Sequence, residues 1–376
     1  MVLEILLIIV SIAVVLWGAD RFTDGACGLA RRLKVSELVI GLTVVALGTS
    51  LPEFMVSFLS VLRGSSDMSV GNIIGSNVFN ILVILGASAI MRTMTVENTL
   101  LRRDIPICLA ASALLCVFSL TPALSKGEGA SLSSILHSFE GDGGGYIARW
   151  EGLLLVAFFC GYLFMAYRVA LKDRRETPSK SPRGETSYAD NPVPVSGGET
   201  SFADNSSPVS EGETSFADNP APVSGGEKSL WWSVLLILVG MGALVGGGHV
   251  LVDNAAKVAR EWGVSESVIG ATILAGGTSL PELATSVIAA RKGSLGLAFG
   301  NVIGSNVFNI AFVIGTCSSI VPMPVTEITQ TDWFMLVGSC ILVWIVAFTR
   351  RELRRWEGIL LVLCYLGYLT SLLMKG

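Results

Sequence analysis

The stretch GTSLPE, Gly48–Glu53, lies inside the apolar run LVIGLTVVALGTSLPEFMVSFLSVL (residues 38–62), and the same six residues return at Gly277–Glu282. The run is long and apolar enough to cross a bilayer, where a carboxylate at the helix centre costs about 2.5–3.5 kcal/mol. An acidic residue in that position is a functional-site candidate. Because Pro52 has no N–H group, the sequence also predicts a helix broken beside Glu53.

The composition extends this interpretation to the whole chain. Of its 376 residues, 51% are hydrophobic and 15% are charged, and the mean hydropathy is +0.65. Soluble domains carry about 25% charged residues, so we predict an all-α polytopic membrane protein in a lipid bilayer. The seven cysteines show no paired spacing and are expected to be packing residues. We expect no enzyme activity, no cofactor and no nucleic-acid partner.

Apolar stretches of about 20 residues recur along the chain, and each is long enough to span hydrocarbon as a helix. A polar stretch at residues 172–229 separates a first half, 1–171, from a second half, 230–376. We predict ten transmembrane helices, five in each half, at residues 2–18, 37–62, 70–90, 104–122, 150–168, 230–252, 266–290, 297–320, 332–348 and 357–373.

The polar stretch contains three tandem copies of a 14-residue unit, beginning with GETSYADNPVPVSG. Its prolines and its few bulky apolar residues cannot form a buried core, so it is predicted to be a disordered linker. Calcium sensing by its acidic residues is the alternative, but the spacing of an EF-hand is missing.

The basic residues predict the orientation of the chain. If the N-terminus lies outside, 20 of the 26 Lys and Arg residues fall in cytoplasmic segments. Because cytoplasmic loops carry an excess of Lys and Arg, we expect the linker 172–229 in the cytoplasm and both termini outside the cell membrane.

An internal repeat relates the two halves. Residues 41–86 align without a gap on residues 270–315 at a constant offset of 229, with 23 identities in 46 positions. Since five helices precede the linker, the second copy must enter the membrane from the opposite side. Inverted repeats with broken helices at the midplane are typical of secondary transporters, whose substrate site lies where the repeats meet.

Polar residues in each repeat recur one helical turn apart, which places them on one helix face. Such Ser, Thr and Asn residues often link helices by hydrogen bonds, and we favour that role for Asn72 and Asn301. The oxygen atoms of the other residues suit Ca2+ or Na+. The four stripes are Thr49, Glu53 and Ser57; Thr278, Glu282 and Ser286; Asn72, Ser76 and Asn80; and Asn301, Ser305 and Asn309.

GTSLPE followed by GNIIGSNVFN, once in each half, resembles the alpha repeats of the cation/calcium antiporter superfamily, specifically the prokaryotic sodium/calcium exchangers. The resemblance covers all ten predicted helices and leaves out the linker. It implies an electrogenic exchange of Na+ for Ca2+ by alternating access, in a chain that functions as a monomer.

The resemblance also implies a role for each matching position. Glu53 and Glu282 would be the central carboxylates, with main-chain oxygens of Thr49 and Thr278 completing the calcium shell. Asn309 replaces an aspartate that some relatives tie to potassium, so the exchange is expected to be potassium-independent. The other implied ligands are Ala46, Ser50 and Ser76 in an inner sodium site, Ala275, Ser279 and Ser305 in an outer one, and Asn80 between them.

Three alternatives remain at this point. A related antiporter could carry another divalent cation or couple to protons. A channel would need a continuous polar pore, whereas these polar residues cluster at one depth. An intramembrane hydrolase would need a catalytic dyad or an HExxH motif, and the sequence contains neither in its spans.

Overall fold

The structure is a computed structural model. It describes the whole chain except Met1, Ser65, 126–144, 177–228, 264–272, 274, 326–327 and Gly376. Most of the predicted linker and the start of the second repeat therefore lie outside the described residues.

The described chain is almost entirely helical, and its helices end mostly at short turns. The helices are α1 (Val2–Leu33), α2 (Glu37–Thr49), α3 (Leu51–Leu62), α4 (Ser66–Phe79, Asn80–Ile84 and Leu85–Met91), α5 (Leu100–Asp104 and Ile105–Ser125), α6 (Arg149–Glu176), α7 (Leu230–Glu261), α8 (Ala275–Thr278), α9 (Leu280–Lys292), α10 (Leu295–Val307, Phe308–Ile314 and Gly315–Ile320), α11 (Gln330–Arg350) and α12 (Arg355–Lys375). Three helices, α2, α4 and α10, contain a π-helical turn, which in α2 is Gly41–Val45, and a fourth begins with one.

These helices confirm the prediction of a polytopic helical membrane protein. Seven of them are long and apolar enough to cross a membrane, and the bent pair α2–α3 makes an eighth, among the residues that the structure describes. The prediction of ten spans stays a prediction, because the predicted seventh span begins within residues 264–272.

Three predicted helix ends are wrong. Helix α1 continues to Leu33 beyond the predicted residue 18, α6 continues to Glu176 beyond residue 168, and α7 continues to Glu261 beyond residue 252. The charged residues beyond residue 18 suggested a loop. In the structure Asp20 and Asp24 remain helical, and both contact Lys292.

The helices differ sharply in burial. In α10 and α4, 94% and 72% of the most apolar 18 residues are buried, whereas the value is 22% for α1, α6 and α7. Exposed apolar side chains on the latter helices, such as Trp17, Leu153 and Leu238, suit contact with lipid. The two repeats' GNxIGSNVFN helices therefore form the centre of the molecule.

Glycines allow the broken helices to approach this centre. A Cβ atom on Gly300 of α10 would lie 2.7 Å from the carbonyl oxygen of Leu38 and 2.8 Å from the nitrogen of Leu42, both in α2. Both neighbours are backbone atoms, which cannot rotate away. Only a residue without a side chain permits α2 and α10 to cross at this distance.

Gly300→Ala is therefore expected to lower the thermal unfolding midpoint of the detergent-solubilised protein, because overpacking costs about 1–3 kcal/mol. Gly161→Ala is the matched control, since a Cβ atom there meets nothing within 4 Å. Equal midpoints for the two variants would contradict the close crossing.

Short strands join the two halves at two places. Strand β1 (Met94–Thr95) pairs with β4 (Glu352–Leu353), and β2 (Tyr146–Ile147) pairs with β3 (Met323–Pro324), both antiparallel. Each pair contains one strand from each half.

The last helix of each half begins with the same interaction. Glu151 accepts the backbone N–H of Ala148 at 2.7 Å, and Glu357 accepts that of Arg354 at 2.7 Å. Both carboxylates lie in the first helical turn, where the helix dipole favours negative charge. The two halves thus share local structure beyond the aligned repeat.

Candidate metal-ion site

The predicted helix breaks are confirmed on either side of the centre. Helices α2 and α3 meet at Ser50 with a bend of 45°. Ser50 has φ −86° and ψ 6°, and Ser279, between α8 and α9, has nearly the same values, −89° and 8°. The prolines follow in the first turn of α3 and α9, where a missing N–H costs no helical hydrogen bond.

Each break supplies a hydrogen bond to the carboxylate of the other repeat. Ser50 Oγ donates to Glu282 Oε1 at 2.9 Å, and Ser279 Oγ donates to Glu53 Oε1 at 3.0 Å. All four residues are fully buried. Because the serine beside one glutamate bonds the other glutamate, both carboxylates belong to a single site.

No cationic side chain neutralises this pair. Within the described part of the chain, neither Glu53 nor Glu282 lies within 4.0 Å of a Lys, Arg or His nitrogen. Two ionised carboxylates without a counter-charge are too costly to bury. Ionised together, they require a bound cation.

Several buried oxygen atoms of the carboxylates and of other predicted ligands have no hydrogen-bond partner. Buried polar groups without a partner are rare in native proteins and call for an explanation. They occur in pairs related by the repeat: Oε2 of Glu53 and Glu282, Oγ of Ser76 and Ser305, and Oδ1 of Asn80 and Asn309. Thr278 Oγ1 is a seventh such atom. These seven oxygen atoms all belong to residues that the sequence predicts as ligands, and each is buried without a hydrogen-bond partner.

The remaining predicted ligands differ in what the structure shows. Ala46 is buried, and its carbonyl oxygen accepts the backbone N–H of Ser50 at 3.1 Å. Thr49 donates through its hydroxyl to Asn301 Oδ1 at 3.0 Å. Ala275 begins α8, and the orientation of its side chain lies outside the described structure.

The hydrogen bonds of Asn301 differ from those of Asn72, its equivalent in the first repeat. Asn301 accepts a hydrogen bond from Thr49 and donates one to Ser286 Oγ at 2.9 Å, and these are the helix-linking bonds predicted for Asn301. In the equivalent positions, the buried polar atoms Thr278 Oγ1, Asn72 Nδ2 and Ser57 Oγ have no partner. The hydrogen-bond network is therefore complete on the side of the site with Asn301 and incomplete on the side with Asn72.

A cleft reaches the site from the side with Asn72. Its volume is about 750 Å³, and it lies between α3 and α7. Its lining includes His249 and Asp253 of α7, together with Asn72 and Thr278. The cleft therefore reaches Thr278, a residue of the predicted site, while Glu53 and Glu282 remain fully buried.

Comparisons with known proteins identify the family of the chain. The family model of the sodium/calcium exchanger proteins matches residues 3–168 and 232–374. The chain belongs to this family. The putative antiporter CaxA of Alkalimonas amylolytica is 30% identical over 372 residues, which cover 98% of each chain.

Two named exchangers are also similar along their whole length. The sodium/calcium exchanger MaX1 of Methanosarcina acetivorans is 29% identical over 374 residues, covering 98% of this chain and 97% of MaX1. The solved structure of the sodium-calcium exchanger NCX_Mj superposes with a TM-score of 0.70 at 27% identity, covering 99% of both chains. The two regions that the family model matches lie on either side of residues 169–231.

Asn77 and Asn306 form a pair of reciprocal hydrogen bonds that the sequence did not predict. Asn77 Nδ2 donates to the carbonyl of Asn306 at 3.3 Å, and Asn306 Nδ2 donates to that of Asn77 at 3.1 Å. Asn80 Nδ2 bonds Asn306 Oδ1 at 3.0 Å, and Asn309 Nδ2 bonds Asn77 Oδ1 at 3.1 Å. These bonds leave Oδ1 of Asn80 and Asn309 free. The sequence does contain a signal for this pair, because the first asparagine of GSNVFN occurs in both repeats.

Both central helices change their winding at the site. The π-helical turns Asn80–Ile84 and Phe308–Ile314 begin at or beside the asparagines that end the polar stripes. Such turns occur frequently at functional sites because they shift the register of the helix that follows. A strict period of 3.6 residues does not reveal them.

Proposed function

We propose that the chain is a secondary-active antiporter that exchanges Na+ for Ca2+ across the membrane by alternating access. The paired buried oxygen atoms around Glu53 and Glu282 carry this proposal, because they form a cation site to which each repeat contributes the same groups. The exchangers MaX1 and NCX_Mj, which are similar over nearly the whole chain, support it.

The charge of the site accounts for the exchange. Two carboxylates give about −2, which one Ca2+ or two Na+ balance. Calcium takes 6–8 oxygen ligands at about 2.3–2.6 Å, which carboxylates, hydroxyls, amides and main-chain carbonyls can supply. Since both ions need the same carboxylates, binding of one releases the other, and the empty site with its two negative charges cannot cross.

We assign the ligands by position. Glu53 and Glu282 bind both ions, and main-chain oxygens of Thr49 and Thr278 complete the calcium shell. Asn80 and Asn309 line the middle of the cluster. The inner sodium site comprises Ala46, Thr49, Ser50 and Ser76, and the outer one comprises Ala275, Thr278, Ser279 and Ser305.

The proposed architecture has ten transmembrane helices in two inverted five-helix repeats, with the breaks at the midplane. The strand pairs, the crossed serine bonds and the reciprocal Asn77–Asn306 bonds support it, because each contact between the halves is matched by the same contact with the halves exchanged. In the proposed orientation the linker 172–229 is cytoplasmic, both termini lie outside the cell, and the cleft opens outward.

Two finer properties complete the proposal. A third sodium ion per cycle makes exchange electrogenic, and the amide of Asn309 in place of a carboxylate favours potassium independence. A single chain contains both halves of the site, so a monomer suffices for transport.

The proposal is tested with purified protein in proteoliposomes loaded with sodium. Calcium uptake is expected on dilution into sodium-free buffer, and it should generate a membrane potential and need no potassium. Calcium uptake that follows a proton gradient and ignores the sodium gradient would contradict the proposed coupling.

The crossed serine bonds yield a separate prediction. In Ser50→Ala or Ser279→Ala, one carboxylate loses the donor that orients it, and hydrogen bonds to charged groups contribute about 1.5–3 kcal/mol. The half-saturating calcium concentration of sodium-driven uptake is expected to rise about tenfold. Ser318→Ala is the control, since this buried hydroxyl bonds only main-chain carbonyls of its own helix. Unchanged half-saturation in both site variants would show that these bonds do not position the carboxylates.

A further inference from the structure

An ion-pair cluster connects α1 to α9 at the end of the molecule opposite the cleft. Lys292 Nζ, at the end of α9, lies 2.7 Å from Asp20 Oδ1 and 2.7 Å from Asp24 Oδ1, both on α1. It also donates to the main-chain carbonyl of Asp20 at 3.1 Å. We name these three residues the inner clasp, because the proposed orientation places them at the cytoplasmic end.

The repeat places an equivalent set of residues at the other end. At the offset of 229, Asp20 corresponds to His249, Asp24 to Asp253, and Lys292 to Arg63. The helix ends match as well, since Gly64 and Gly293 follow the basic residues with φ of +81° and +88°. Arg63 is therefore presented at the end of α3 as Lys292 is at the end of α9.

In this structure Arg63 does not contact the equivalent residues His249 and Asp253 as an ion pair. His249 Nε2 lies 3.4 Å from Asp253 Oδ2 on the same helix, with side chains 78% and 49% exposed. Arg63 is exposed and forms no ion pair with any described residue. The cleft separates α3 from α7, whereas the equivalent pair, α9 and α1, is in contact.

Helices α1 and α7 form one body that links the two ends. They pack together along their length, and a Cβ atom on Gly240 would lie 2.6 Å from the nitrogen of Phe22. A Cβ atom on Gly18 would lie 2.8 Å from that of Ala243. A movement that brings α7 against α3 must therefore also move α1 away from α9.

We propose that Arg63 closes on Asp253 and His249 as an outer clasp when the inner clasp opens, so that the two clasps alternately hold the two access states. The inference rests on the proposed antiport function. The hydrogen bonds of the site agree with it, because the Thr49–Asn301–Ser286 network is closed on the side of the inner clasp.

The two clasps differ in strength. The outer one has an imidazole where the inner one has the carboxylate of Asp20. Lys292 thus meets two carboxylates and Arg63 would meet one, which favours the state in which the inner clasp is closed and the outer cleft is open.

Hydrogen–deuterium exchange of the full chain in lipid nanodiscs, in sodium-containing buffer, tests the proposal. The two readouts are the amides of residues 20–33 in α1 and of residues 249–261 in α7. In Lys292→Gln, exchange is expected to rise about fivefold in α1 and to fall in α7, since pairs of this exposure contribute up to about 1 kcal/mol. In Arg63→Gln the inward-facing state loses its clasp, so exchange is expected to fall in α1 and to rise in α7. Arg291→Gln is the control, because Arg291 is a neighbour of Lys292 that forms no ion pair with any described residue.

A gain-of-function variant separates the clasp from simple loosening of the fold. His249→Asp copies the inner clasp, so exchange is expected to fall in α7 and rise in α1, and Arg63→Gln should cancel this effect. The proposal is overturned if Lys292→Gln raises exchange in both helices, if it matches Arg291→Gln, or if His249→Asp acts without Arg63. This readout requires no calcium flux, so a failure of the proposed coupling would be seen separately, in the proteoliposomes.

Discussion

Replacing Glu53 or Glu282 with glutamine is expected to lower sodium-driven calcium uptake about 100-fold or more. The reason is that each carboxylate pairs with the buried Ca2+, and removing one partner of a buried pair of opposite charges costs about 2–5 kcal/mol or more. Either change leaves a site of charge −1, which can no longer balance Ca2+. The amide can still accept the serine hydrogen bond, so the fold should survive. Uptake is measured per folded transporter in proteoliposomes, with the folded fraction taken from size-exclusion chromatography.

A buried carboxylate outside the site provides the matched control. Glu151 is 1% exposed and accepts the N–H of Ala148 at the start of α6. Glu151→Gln is expected to retain flux per folded protein, even if the folded yield falls. Flux retained in Glu53→Gln or Glu282→Gln would mean that the carboxylate pair does not carry the transported charge.

The second large effect is expected from Asn306→Leu. This change removes the side-chain bond to the carbonyl of Asn77 and the acceptor of the side-chain amide of Asn80, both in the buried centre of the molecule. Each buried polar group left unsatisfied costs about 1–3 kcal/mol. We expect a loss of about 2–6 kcal/mol in stability, seen as a lower thermal unfolding midpoint in detergent or as failure to purify a monodisperse protein.

Asn72→Leu distinguishes this loss from a general intolerance of leucine. Its side-chain nitrogen has no hydrogen-bond partner, so its replacement leaves no described donor or acceptor behind. The midpoint of Asn72→Leu should stay close to that of the unmodified protein. Similar midpoints for Asn72→Leu and Asn306→Leu would show that the Asn77–Asn306 bonds contribute little to stability.

The sequence revealed the helix breaks and the family because both follow from strong local signals. A proline and a carboxylate inside an apolar run predict a break and a site, and the duplication of GTSLPE predicts that two such sites meet. Ser50 and Ser279 were predicted as ligands. Their crossed hydrogen bonds to the opposite glutamates were not, because a bond between residues 232 or 226 positions apart depends on packing.

Other features depend on the three-dimensional arrangement and could not be predicted. The length of α1 was underestimated because Asp20 and Asp24 suggest a loop until Lys292 is placed beside them. The π-helical turns in α4 and α10 could not be predicted, because a search for a period of 3.6 residues does not detect them. Thr278 Oγ1 has no hydrogen-bond partner while Thr49 donates to Asn301, and only the structure shows this difference between matching residues of the two repeats.

The central claim is that the carboxylates of Glu53 and Glu282 jointly bind one calcium ion that sodium displaces. Equilibrium calcium binding to the purified protein, by isothermal titration calorimetry with and without sodium, tests it most directly. The account predicts one Ca2+ per chain, weaker binding as sodium rises, and no binding by the Glu53→Gln/Glu282→Gln double variant. Stoichiometric calcium binding retained by that folded variant would contradict it.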